Sequence, residues 1–186
     1  MIGYLALAHN DRLFIYSFTD TLKQRIGPIS GKGQIPTLLN YLSSTIFDGF
    51  SDLQATIKRF IDLSPRNGLV IIMSDFLDIG PIQEAIQMLP SPSWDVIVIN
   101  ILHPNEITPD IHGIFEMIDV ETGGEANYDI DEEICSSYNQ KIQEWLQQVA
   151  DICDENNAFH ILMTSNWSIE KDVIPLMLST HIVRPL

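Results

Sequence analysis

Three apolar runs constrain this chain most: Gly68-Leu-Val-Ile-Ile-Met73, Trp94-Asp-Val-Ile-Val-Ile-Asn-Ile-Leu102 and Ala158-Phe-His-Ile-Leu-Met163. The first two are apolar at successive positions, so both faces of each strand must be covered, as in the middle of a parallel sheet. The third reads as another core strand. Helical patterns separate them. Pro81 opens a helix through Met88, a long amphipathic helix runs from about Asp131 to Glu155, and another runs from Ser168 to about Ser179. Strands alternating with helices predict an α/β fold: an open, mostly parallel sheet flanked by helices. Phe115 to Glu121, then Thr-Gly-Gly, then Glu125 to Ile130 reads as an inserted β-hairpin.

The first 65 residues are less regular. Met1 to Ala8 reads as the last turns of a helix, Leu13 to Phe18 as a buried strand, and Thr21 to Ile29 as an edge strand. Pro36 suits a first helical position. A helix after Gly49 carries Leu53, Ile57, Phe60 and Ile61 as its buried stripe, and Ser51 with Gln54 reads as a capping box. At 186 residues, with 45% apolar and 19% charged, the chain is expected to be a single domain, 1–186.

Charge excludes some partners. Ten Lys plus Arg against 25 Asp plus Glu give a formal net charge of −15 and a pI near 4.4. Such a chain repels phosphate backbones and anionic membrane surfaces. No run approaches the ~20 apolar residues of a membrane span, so no span is expected. Cys135 and Cys153 both fall in the long helix, about five turns and roughly 27 Å apart, too far for a disulfide within it. Idle thiols and missing targeting signals suggest a cytoplasmic protein.

The common chemical signatures fail. Gly31-Lys-Gly33 lacks the third glycine of a dinucleotide loop and is not a P-loop. There is no G-x-S-x-G elbow. His9, His103, His112, His160 and His181 have no metal-ligand spacing, and His160, inside an apolar strand, reads as a core histidine bonded to a neighbour. Glu121, Glu125, Asp129, Asp131, Glu132 and Glu133 read as a solvated acidic face. One constellation carries chemistry. Asp75 lies just past the C-terminal end of a core strand, where open α/β sheets bind ligands, and Ser51 opens a helix. A hydroxyl and a carboxylate at one sheet edge are ligands for a hard cation such as Mg²⁺. The competing reading makes Ser51 a cap and Asp75 a turn residue.

Several segments carry a family resemblance: Tyr4-Leu-Ala-Leu-Ala-His-Asn-Asp-Arg-Leu13, Gly31-Lys-Gly-Gln-Ile35, Gly49-Phe-Ser-Asp-Leu53, Pro65-Arg-Asn-Gly-Leu-Val-Ile-Ile-Met-Ser-Asp-Phe-Leu-Asp78 and Ile118-Asp-Val-Glu-Thr-Gly123, with the long helix that holds Tyr138. Together they resemble the bacterial "domain of unknown function fifty-eight" proteins, whose core is a von Willebrand factor A-like domain. The resemblance implies a Rossmann-like, doubly wound sheet in the order 3-2-1-4-5-6. It also implies a metal-ion-dependent adhesion site made from an Asp-x-Ser-x-Ser, a Thr or Ser, and an Asp. Ser51 matches the second element and Asp75 the third. No Asp-x-Ser-x-Ser precedes Asp11. Relative to the family, then, the N-terminal strand, central in its sheet, is absent and the Mg²⁺ site is incomplete. The strands at Leu13 and Leu69 are expected to pair directly or to be covered by another chain, as in a homodimer through an exposed strand edge.

Family members are associated with MoxR-type AAA ATPases and the assembly or activation of other proteins. The resemblance therefore implies a non-enzymatic protein-interaction module partnering such an ATPase. Two alternatives stand beside it. One is a metal-dependent phosphoryl-transfer or hydrolytic enzyme using Asp75, with Asp78, at the sheet edge. The other is a metal-free scaffold fragment.

Overall fold

A computed structural model of the chain describes residues 1–46, 51–63, 67–77, 80–89, 93–109, 111, 113–118 and 124–179. The chain forms two compact units, Met1–Pro65 and Arg66–Leu186.

In the first unit, helix α1 (Ile2–Ala8) leads into strands β1 (Leu13–Phe18) and β2 (Leu22–Ile29), which pair antiparallel. A 3₁₀ turn (Lys32–Gln34) then enters α2 (Ile35–Ser44), with Pro36 in its first turn, and α3 (Leu53–Leu63) follows. The ladder is bulged. Leu13 pairs with Ile29 but Ile15 pairs with Ile26, so the β2 side carries an extra residue there. Gly27 makes this bulge possible. Its φ is +116°, and a Cβ there would stand 2.5 Å from the Leu13 carbonyl oxygen. β1 was expected to be buried; all six of its residues are half-buried. A two-stranded ribbon covers its aromatic residues with side chains instead of a further strand. The Arg25 guanidinium lies 5.1 Å from the Phe14 ring centre and 5.7 Å from that of Tyr16. Phe60 of α3 meets Tyr16 edge-on at 5.8 Å.

The second unit is built on a parallel three-stranded sheet in the order β3-β4-β7, from β3 (Gly68–Ser74), β4 (Trp94–Leu102) and β7 (Phe159–Thr164). Helix α4 (Gly80–Met88) joins β3 to β4. Helix α6 (Glu132–Glu155) precedes β7 and packs on α4 and β7. Alternation along β4 sets two faces. Val96, Val98, Asn100 and Leu102 share one, and Val98 and Asn100 are fully buried. Ile97, Ile99 and Ile101 share the other, with Ile101 partly exposed. The helices complete the core with Ile82, Ala85, Ile142, Leu146, Val149 and Cys153, all buried. A short helix α5 (Pro104–Ile107) follows β4, and then β5 (Gly113–Ile118) and β6 (Glu125–Ile130) form the antiparallel hairpin expected from the sequence. After β7 a π-helical turn (Ile169–Val173) leads to α7 (Ile174–Ser179).

Both cysteines are in α6, as expected, and both are free. Burial and the Asp154 charge push the Cys153 thiol up to about 11, so it stays protonated and unreactive. Among the described residues, no helix is long and apolar enough to cross a membrane.

Candidate functional site

The three parallel strands end together. In register, Ser74 of β3 lies beside Asn100 of β4, and Leu102 of β4 beside Thr164 of β7. This C-terminal edge is where ligand chemistry is expected in an open parallel sheet. Asp75 stands on it, one residue past β3, and is exposed. A small turn holds it. Ser74 Oγ donates to Asp75 Oδ1 at 3.3 Å, and the Leu77 N–H donates to the same oxygen at 3.4 Å. The Phe76 N–H donates to Ser74 Oγ at 3.2 Å. Phe76 has φ +52°, a left-handed conformation that costs a non-glycine residue about 1–2 kcal/mol. Phe76 is 4% exposed, and that burial offsets the strain and fixes the turn. Nothing in the sequence marks this. A left-handed position usually signals Gly or Asn, and here it is Phe.

Asp78 lies outside the described residues. Ser51 belongs to the first unit, Asp75 to the second. Ser51 is exposed, and its hydroxyl has no hydrogen bond among the described residues. The cap of α3 is its neighbour. The Ala55 N–H donates to Asp52 Oδ1 at 2.8 Å, one position later than the expected Ser51–Gln54 box. Asp75 and Ser51 are therefore each a solvent-facing hard oxygen donor, the right chemistry for Mg²⁺. Among the described residues, no group of three or more His, Cys, Asp or Glu is placed to hold a metal ion.

Sequence reading missed Asn100. It is 0% exposed, and neither Oδ1 nor Nδ2 has a hydrogen-bond partner among the described residues. The signal was available: Asn100 keeps step with Val96, Val98 and Leu102 on the covered face of a buried strand. His160 shares that face through its register with Val98. It was expected to be bonded to a neighbour, yet its Nε2 is buried without a partner among the described residues. Burial pulls its pKa below the usual histidine value, against the opposing pull of Asp154.

That shift has a consequence for stability. Between the ordinary histidine pKa and the lowered folded one, the unfolded chain binds the proton and the folded chain does not. Stability then rises with pH, and acidification from pH 7 through 6.5 and below removes it. A His160→Leu variant should flatten this dependence, with a gain over the parent that grows as the pH falls below 6.5. Urea unfolding at pH 7 and pH 5 checks it, and a difference that does not change with pH would refute it.

Beside the edge, α5 closes the loop after β4. The Asn105 N–H donates to His103 Nδ1 at 3.2 Å, and the Glu106 carboxylate accepts from the His103 N–H, a reciprocal cap. Tyr138 of α6 donates its hydroxyl proton to the Glu106 carbonyl oxygen at 2.6 Å. Burial, then the Glu106 charge, raises the Tyr138 pKa, so this link persists through neutral pH.

No curated protein and no solved structure matches the chain. Residues 1–147, well over half of the chain, match the family described as Protein of unknown function DUF58. By that match, the chain belongs to the DUF58 family.

Proposed function

We propose that this chain is a non-catalytic protein-interaction module of the von Willebrand A-like kind, which partners a MoxR-type AAA ATPase in assembling or activating other proteins. The observation that carries the reading is Asp75: a solvent-facing carboxylate set by a fixed turn at the C-terminal edge of a parallel sheet. Family membership supports the reading, as does the lack of a nucleophile–base motif in the sequence. Asp75 would be a Mg²⁺ ligand, and Ser51 is the other oxygen donor that the resemblance implies. When bound, the cation supplies a coordination position for a carboxylate of the partner. β3, an outer strand of its sheet and apolar from Leu69 to Met73, is the edge through which two copies would pair. In this reading the protein works in the cytoplasm.

The test is binding of a MoxR-type ATPase to the immobilised chain with Mg²⁺ and with EDTA. Asp75→Ala should lose all of the Mg²⁺-dependent part while lowering the unfolding midpoint only slightly, since Asp75 is exposed and its two turn hydrogen bonds are long. Binding that ignores both Mg²⁺ and Asp75→Ala would make the chain a metal-free scaffold. Mg²⁺-dependent hydrolysis of a generic phosphoester, lost in Asp75→Ala, would move the assignment to an enzyme.

A further inference from the structure

The β5–β6 hairpin is an anomaly of exposure. Among its described residues only Ile130 is buried. A two-stranded hairpin is at best marginal in water and gains independence with a third strand or a covering surface. Its two faces differ. Phe115 pairs with Tyr128 and Met117 with Ala126, which makes one face apolar. On the other, Ile114 pairs with Asp129, Glu116 with Asn127 and Ile118 with Glu125. β6 alone therefore presents Glu125, Asn127 and Asp129 to one side and Ala126 and Tyr128 to the other.

Charge says what would cover it. The first unit holds six Lys plus Arg and five Asp plus Glu, whereas the second holds four against twenty. From Arg66 to Lys141 no Lys or Arg intervenes, while fourteen Asp and Glu do. Glu116, Glu125 and Asp129 make no ion pair among the described residues, where the pair present is Lys23–Asp20. A second copy would bring the same carboxylates to this strand, and like charges directly opposite are destabilising. Phosphate-bearing surfaces are repelled for the same reason.

We propose that β6 is a docking strand. Its outer edge takes an extended segment of a partner protein in which Lys or Arg alternates with apolar residues. Added as a third strand, that segment sets its cations beside Glu125 and Asp129 and its apolar side chains beside Ala126 and Tyr128. Main-chain hydrogen bonds supply affinity and the alternation supplies specificity. This surface needs neither Asp75 nor Mg²⁺, so its success or failure is independent of the sheet-edge reading.

The test uses the full chain in EDTA and a labelled peptide alternating lysine with valine. The peptide should bind, more weakly as salt rises, and should slow hydrogen exchange at the β6 amides. Glu125→Lys with Asp129→Lys should weaken binding about tenfold or more. Tyr128→Ser should weaken it while leaving the charge unchanged. Glu144→Lys with Asp151→Lys, the same charge change on exposed positions of α6, should leave affinity within about twofold. Equal weakening by the two charge-reversed pairs would overturn the proposal, as would equal binding of a peptide alternating glutamate with valine. Unslowed exchange at β6 in the unmodified protein would overturn it as well, and that readout needs no variant to fold.

Discussion

Truncating Leu102 to alanine should destabilise the second unit by about 2–5 kcal/mol. Leu102 is the last residue of the central strand β4 and is 1% exposed. It sits where the chain leaves the sheet. Its carbonyl oxygen accepts from the Ser165 N–H at 2.9 Å, which holds the end of β4 to the segment after β7. The side chain is sealed from solvent, and β7 pairs alongside it through Thr164. Its removal therefore loses transfer free energy and leaves a cavity that the ladders resist closing. For a chain of this length each kcal/mol is worth about 2–4 °C in Tm, so the fall should be about 4–20 °C. Ile101, its neighbour on the opposite face, is 37% exposed, and its truncation should cost clearly less. Urea unfolding of both variants makes the comparison. Equal losses would mean that the face assignment of β4 is wrong.

What the sequence disclosed and what it hid follow from the same physics. β3, β4 and β7 were legible as apolar runs, but of the three β4 alone has both faces buried; Leu69 and Met73 of β3 and Phe159 of β7 are exposed, so the expectation that both faces of β3 are covered fails. α6 was legible over nearly its whole length, since Asp131 accepts from the Ile134 N–H at 2.9 Å and Asn156 and Asn157 end it. The hairpin strands were legible from their flanking turn residues. The cap of α3 was not, because Ser51 and Asp52 are adjacent residues that both favour an N-cap, and pattern alone does not choose between them. Leu53, Thr56 and Ile57 are the buried positions of that helix, and a start at Leu53 hands the cap to Asp52. β1 misled for a different reason. Its apolar residues invite a buried-strand reading, but Arg25 stacked on Phe14 and Tyr16 covers aromatic surface without a further strand. Of the site, the carboxylate was legible and its support was not. Asp75 follows a core strand in plain view, while the strained Phe76 and the buried Asn100 depend on where neighbouring chain segments lie.

Replacing Asn100 by leucine should stabilise the protein by about 1–3 kcal/mol. Few single changes raise stability that far, and the expectation comes from an imbalance at one residue. Its amide is wholly buried with both polar atoms unpartnered among the described residues, so folding strips it of water and returns no hydrogen bond there. Val98 and Leu102 lie two positions either side on the same face, so an apolar side chain there has apolar neighbours already in place. Leucine has the same branching and the same number of heavy atoms as asparagine but is rounder. Asn100→Val, smaller and at ease in a strand, guards against overpacking. A gain in either variant supports the reading. A loss in both would mean that the amide is satisfied in the folded protein after all. A buried group of this kind that persists in a core calls for a reason, and Asn100 lies in register with Ser74, the residue before Asp75. If the amide is kept for the sheet edge, the stabilised variants should bind the partner less well in Mg²⁺ than the parent does, as expected where a site is maintained at the expense of the core. Greater stability with undiminished Mg²⁺-dependent binding would separate Asn100 from the function and leave Asp75 as the residue that matters there.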